Sequence, residues 1–428
     1  MRSFQVIFKK MLKNIYNYNK IPLLLIALLP IGLLISSGVS ELLSILLVIL
    51  YITSLIYKKD YSIINNPYFK SLLILWLYLI LNSILFSQVY AASEYSLRSI
   101  GFIKYILLIF AFKYYLKKNK NFEFILIFWT FIISLVAFDV FFESYNGKNI
   151  LGFVSSHETR IASFLRTELK IGHFILGFSF LTAGYLFYKS QNRSILFLLF
   201  SYLFIIILII SLYLTGERSN AIRGLFCLIL FFIFGSKKIF KYKYFFFILT
   251  IFFLIILYNL SERMQIRFNG QIINPMKNNG IVKTLKDSHY GAHYDTAIQI
   301  FKSYPLLGVG NKNFRYECQK KKYFNNNLAL TNARCATHPH QIYLELLSEH
   351  GLIGATIILF IIFFNLYKNI KIYVKKKNPI HLASILFVLQ TFIPLIPSGS
   401  FFSSWTATVF WINFSIMMSF CDIKNLKK

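Results

Sequence analysis

The chain has 428 residues, 57% of them hydrophobic and 14% charged, with 47 Phe and 28 Tyr. A soluble core of that composition would lack the polar surface to cover it, which excludes an ordinary soluble domain and predicts an all-α polytopic membrane protein. The formal charge of +30 would suit a nucleic-acid binder, but the lysines stand in short clusters between apolar runs, so membrane topology explains them and no nucleic-acid partner is expected.

About twelve stretches approach the roughly 20 apolar residues of a membrane helix. They lie near 21–37, 39–57, 70–88, 99–116, 123–142, 171–188, 194–214, 218–235, 243–260, 352–367, 380–397 and 403–420. The first run has no cleavage pattern behind it and is expected to stay as a signal anchor. Alternate connections carry the lysines: Lys9, Lys10, Lys13 and Lys20; Lys58 and Lys59; Lys117, Lys118 and Lys120; Lys189 with Arg193; Lys237, Lys238, Lys241 and Lys243; Lys368, Lys371 and 375–377; and Lys424, Lys427 and Lys428. The positive-inside rule puts these connections and both termini in the cytoplasm. The remaining connections, notably 144–170, the turn at 215–218 and the long segment 261–351, then face the exterior, which is the periplasm if the host is Gram-negative. The chain reads as a single membrane domain, 1–428, with a smaller external loop at 144–170 and a large one at 261–351.

A connection of about 90 residues is too long to be idle and is expected to fold over the membrane face. Its apolar patterns predict short amphipathic helices at 296–301 and 342–347, and turns at 274–280 and 323–328. Pro305, Gly308 and Gly310 make 303–310 a turn. Cys227 and Cys421 fall within or beside membrane helices and read as packing residues. Cys318 and Cys335 share the external segment, where a disulfide would contribute on the order of 3 kcal/mol. The alternatives are two free thiols, or zinc held with His338 and His340, although the cysteine spacing matches no common zinc pattern.

Arg218 follows Thr215-Gly216-Glu217 at the external end of a helix, where its guanidinium and the free N–H groups of a helix start would favour an anion. The plain alternative is an interfacial anchor paired with Glu217. Arg223 lies deeper, and a charge inside a span normally lines a cavity. Arg160, in His157-Glu158-Thr159-Arg160, is either a solvated loop residue or a phosphate contact. His289 and His293 stand four apart, on one face of any helix there, and suit polar lining better than a zinc protease, since no glutamate follows in that pattern. His338-Pro339-His340 is the stronger candidate: an imidazole titrating near neutrality can take a proton from a sugar hydroxyl, with Glu345 or Glu349 to orient it. A helix starting near Pro339 would put His340, Tyr343, Leu344 and Leu347 on one face.

At these residues the chain resembles the bacterial O-antigen ligase and O-antigen polymerase superfamily, over its later two thirds. The family's late signature, His-Asn-x-x-Leu-x-x-Leu-x-Glu-x-Gly, is matched by His340, Leu344, Leu347, Glu349 and Gly351, with Gln341 in place of Asn. Upstream, Ala297, Pro305, Gly308, Gly310 and Phe314 look like its Ala…Pro-Leu-x-Gly-Val-Gly-x-x-x-Phe segment. Arg218 and Arg160 resemble the family's arginines before a membrane helix and in the preceding external loop. The sequence departs at Tyr290, four before Tyr294, where the family often has arginine; His289, His293, Arg263 or Arg267 are the substitutes available.

The resemblance implies a metal-independent, cofactor-free glycosyltransferase whose donor is a glycan on undecaprenyl diphosphate and whose acceptor is lipid A-core or a second lipid-linked glycan. His340 would be the base and Arg218 its catalytic partner. Arg160, Arg223, His338, His289 and His293 would bind the diphosphate or substrate, and Glu349 and Gln341 would orient. Ligation is preferred slightly over polymerisation, and transfer to protein is a further option. The competing class is a lipid-linked oligosaccharide flippase, which should carry charges along several spans and have short external loops.

Overall fold

The computed structural model describes residues 20–87, 98–117, 119–235 and 242–420. The expected lysines Lys9, Lys10, Lys13, Lys118, Lys237, Lys238, Lys241, Lys424, Lys427 and Lys428, with Cys421, lie outside the described residues, as does the side chain of Lys120. Among the described residues the chain is helical, with no strand. Seven helices among the described residues are long and apolar enough to cross a membrane, against the twelve runs expected. The other runs also form helices but shorter ones, including Lys20–Ile35, Ile103–Tyr115 and Ser404–Ser419.

The expected run at 380–397 is cut short: its helix is Pro379–Thr391, because Pro394 and Pro397 have no N–H to continue it. Residues 392–403 become an irregular strap that returns over the bundle. The expected turn at 274–280 lies instead in a helix, Asn274–Lys286, which tolerates Pro275 in its first turn and is interrupted at Gly280, where φ is 74°. The helix expected from 296–301 is longer, His289–Ser303, and carries both histidines.

The helix Ile171–Ser190 is the buried centre, packed against Asn119–Asn146, Ile195–Leu214 and Pro379–Thr391. The lysine-bearing ends meet one another: Lys189 pairs with Glu123 at 2.8 Å, Lys243 donates to Phe232 O at 3.0 Å, and Tyr373 OH donates to Phe234 O at 2.7 Å. The histidines stand at the opposite end of Ile342–Lys376, whose 35 residues correspond to about 50 Å of helix rise.

That helix is broken at Gly351, where φ is 62° and ψ is −166°. The turn at 305–310 fills the break. Val309 N donates to Ser348 O (3.0 Å) and Gly310 N to Glu349 O (2.8 Å), while Leu352 N and Ile353 N donate back to Pro305 O (2.8 Å) and Leu306 O (3.1 Å). Tyr78 OH donates to the carbonyl of His350 at 2.9 Å. The backbone groups released by the break thus find partners, as burial requires. The contact is so close that a Cβ on Gly351 would sit 2.3 Å from the Leu306 backbone, and one on Gly308 2.4 Å from that of Glu349.

Beyond this joint, Ala297, Ile300, Val309, Phe314, Cys318 and Tyr323 form a small core of their own. Cys318 and Cys335 are joined by a disulfide across 17 residues, as the sequence predicts. Gly351→Ala, which adds a side chain in a glycine-only region of backbone space and against another backbone, should destabilise the protein by about 3 kcal/mol, read as a fall in thermal stability in detergent. Reduction of the disulfide should also lower that stability, and mass spectrometry finding both thiols free in untreated protein would remove the bond from the account.

Candidate active site

The floor of the site is ionic. Lys312 N donates to Glu349 Oε2 at 2.8 Å, Lys312 Nζ donates to Ser400 Oγ and lies 4.0 Å from Glu345, and Glu345 Oε2 accepts from Phe401 N at 2.9 Å. All three charged residues are buried, Glu345 and Glu349 completely. Burial pulls the Lys312 ammonium below its ordinary range, and the two carboxylates oppose it. Buried charges persist only when paired this way. Nothing in the sequence distinguishes Lys312 or the strap serine Ser400 from their many counterparts.

Above the floor lie the histidines. The helix does not begin near Pro339. Gln341 is extended and its side chain caps the helix, accepting from Leu344 N at 2.8 Å, so the first helical residue is Ile342. His340 is therefore outside the helix, at φ 58°, and does not share its face with Tyr343 and Leu347. The strap holds it: Ser398 N donates to His340 O at 2.8 Å, and His338 Nε2 lies 3.3 Å from Ser398 O. The His340 ring stands 4.0 Å from that of His338, 5.4 Å from His293 and 5.8 Å from Tyr290, centroid to centroid. His293 Nδ1 meets Arg334 O at 3.1 Å, whereas His289 is exposed. Burial, then the neighbouring imidazoles, lower His340 to about 3; burial and Lys312 lower His338 to about 3. Both rings are neutral at pH 7. Glu345 is the carboxylate whose charge acts on His340, while Glu349 serves the Lys312 amide.

The arginines form the third layer. Arg218 opens the helix Arg218–Phe234 and donates to Arg267 O at 3.2 Å. Arg267 sits in a π-helical segment, Ile266–Ile273, and donates to Gly216 O from Nε (3.2 Å) and Nη2 (3.0 Å) and to Gln271 Oε1 (3.0 Å). Phe268 stacks on Tyr213 with centroids 5.4 Å apart, fixing that segment to the membrane helices. Arg160 reaches the same place because Ile161 N donates to Thr215 O at 3.1 Å, and its Nη2 donates to Leu169 O. Burial, then Arg218 and Arg160, pull Arg267 down to about 10, still fully charged at neutral pH. Glu217 is the nearby carboxylate, and it is occupied by Gly172 N (2.7 Å) and Asn220 Nδ2 (2.6 Å). Tyr290 feels both Arg218 and Arg267 and also abuts His340, so it joins the two layers. Arg223 lies one layer below, donating to Ile396 O at 3.3 Å.

Chemically, a buried neutral imidazole can accept a proton, and three neighbouring guanidinium groups can hold an anion. Residues 202–361 match the family model described as O-antigen ligase. That segment is similar to the O-antigen ligase family. No curated protein matches the chain. The O-antigen ligase segment contains Arg218, Arg267, Lys312 and all the site histidines; Arg160 and the strap at 392–403 come from outside it. Among the described residues no group of three or more His, Cys, Asp or Glu is arranged to hold a metal ion, and the cysteines of the zinc alternative are bonded to each other.

Because His338 and His340 titrate near 3 when folded and about 6.5 when unfolded, the unfolded chain binds more protons between those values. Stability is then complete above pH 6.5 and falls as the pH drops toward 3. Thermal unfolding from pH 7 to pH 5 should show the loss, and His338→Gln should make it smaller.

Proposed function

We propose that the chain is an inner-membrane glycosyltransferase that moves a glycan from undecaprenyl diphosphate to an acceptor hydroxyl on the periplasmic face, with lipid A-core as the acceptor. The family match supports glycosyl transfer from lipid-linked glycans in general. The observation that carries the finer reading is Tyr290, whose ring stands 5.8 Å from that of a neutral His340 and which also neighbours Arg218 and Arg267.

In this reading the acceptor hydroxyl gives its proton to His340 as its oxygen attacks the anomeric carbon. The bond from that carbon to the diphosphate oxygen breaks on the opposite side, and the electron pair leaves with the diphosphate. Arg218, Arg267 and Arg160 receive the growing negative charge, and the anomeric configuration inverts. Arg267 takes the role left open by Tyr290. No step calls for a metal ion, because the guanidinium groups already supply the positive charge. The unprotonated state of His340 means that the base needs no prior deprotonation.

Arg218→Ala and His340→Ala should abolish glycan transfer with the protein still folded and inserted; normal lipopolysaccharide ladders from either strain would refute the assignment. Arg267→Ala should lower kcat by about 10²-fold, the scale of losing one transition-state donor. The acid limb of kcat/KM should fall well below the pH 6.5 of an ordinary histidine, since it reports the base of the free enzyme. In a deletion strain, polymer accumulating on the carrier lipid marks a ligase, and single repeats on lipid A-core mark a polymerase.

A further inference from the structure

Arg223 follows Arg218 by five residues on the same helix, about 7 Å deeper, and is 3% exposed. It lines a cavity of about 20 Å³ with His173, Gln390 and Ser398, between the bundle and the strap. Four polar atoms there have no hydrogen-bond partner among the described residues: Arg223 Nε, His173 Nε2, Gln390 Oε1 and Ser398 Oγ. A buried polar atom left unpaired is costly, so four around one space call for a shared ligand. The volume is that of one water molecule, and water has the required chemistry. It can accept from the guanidinium N–H and donate to the amide oxygen. An anion would be repelled by Gln390 Oε1 and has no room.

The strap connects this chamber to the histidines. Arg223 holds the carbonyl of Ile396, and two residues later Ser398 holds His340 by its N–H and His338 by its carbonyl. Pro394 and Pro397 restrict the backbone on either side of Ile396, so a displacement at one end is carried to the other. We propose that Arg223 is a positioning residue for His340, acting through a water-holding chamber and the strap, and is not a contact to the donor's diphosphate. This rests on the glycosyl-transfer reading, in which a base displaced by about 1 Å costs about 10²-fold in rate.

The test uses the full chain in detergent, with lipid-linked glycan and lipid A-core extracted from a strain lacking it. Arg223→Met, which keeps the side chain's bulk, should lower kcat by about 10²-fold, with KM for the lipid-linked glycan within about twofold of wild type. Gln390→Leu, which removes the chamber's amide oxygen and the Gln390 bond to Thr391 but no bond to the strap, should lower kcat about tenfold, and covers the case in which Arg223→Met fails to fold. Both should speed hydrogen exchange at the Ser398 amide. A raised KM with kcat retained would make Arg223 a donor contact and overturn the proposal, as would wild-type kcat in either folded variant. If wild type itself transfers no glycan, the functional reading fails alone, and unchanged exchange at Ser398 in the variants would overturn the positioning role separately.

Discussion

The site depends on one backbone joint, the docking of the 305–310 turn into the helix break at Gly351. A continuous helix would satisfy its own amides and carbonyls and leave the turn with nothing to bind. The break releases two carbonyls and two amides, and the turn matches them with two amides and two carbonyls. Each of the two glycines that press together here is needed because the other backbone occupies the space a side chain would take. The joint also positions the chain on both of its sides. Lys312, two residues after the turn, is set over Glu349, two residues before the break, and the helix start carrying His340 is held above both. Two stretches of the family signature that look independent in sequence are the two halves of one contact.

The layers above this joint differ in charge state, and each supports the next. The floor confines Lys312 between Glu345 and Glu349 in a dry interior, with its ammonium nearest Glu345. The imidazoles above it are kept neutral by burial and by one another. The outermost layer is cationic, and the single carboxylate beside it is already satisfied by Gly172 and Asn220. Neutral imidazoles thus stand on one side of the Tyr290 ring and guanidinium groups on the other. That order suits a reaction in which a hydroxyl loses a proton at one point while negative charge gathers at another.

Much of this is legible in the sequence because it depends on local pattern. The apolar runs and the disulfide pair come from composition and spacing, and the stretch around His340 from the resemblance at the late signature. Three features are not legible there. The helix start falls later than the pattern suggests because Gln341, a residue with no special capping reputation, does the capping that an asparagine would do. The strap at 392–403 reads as part of an apolar span, and only its prolines hint that it leaves the helix. Lys312 and Ser400 meet through tertiary contacts between segments 88 residues apart, which no local pattern encodes.

Tyr290 shows how a site can depart from its family's pattern and keep its electrostatics. An arginine at that position would add a cation next to His340 and press its basicity lower still. A tyrosine there leaves the imidazole facing a neutral ring, and Arg267 stands near that tyrosine together with Arg218. Arg267 can do so because a π-helical segment, pinned by Phe268 on Tyr213 and by the carbonyl of Gly216, swings it back over the helix start at Arg218. Such irregular turns are common at functional sites, since one extra residue per turn re-aims a side chain without moving the helix. A third guanidinium thus joins Arg218 and Arg160 from an irregular turn, and not from the helix that carries Tyr290.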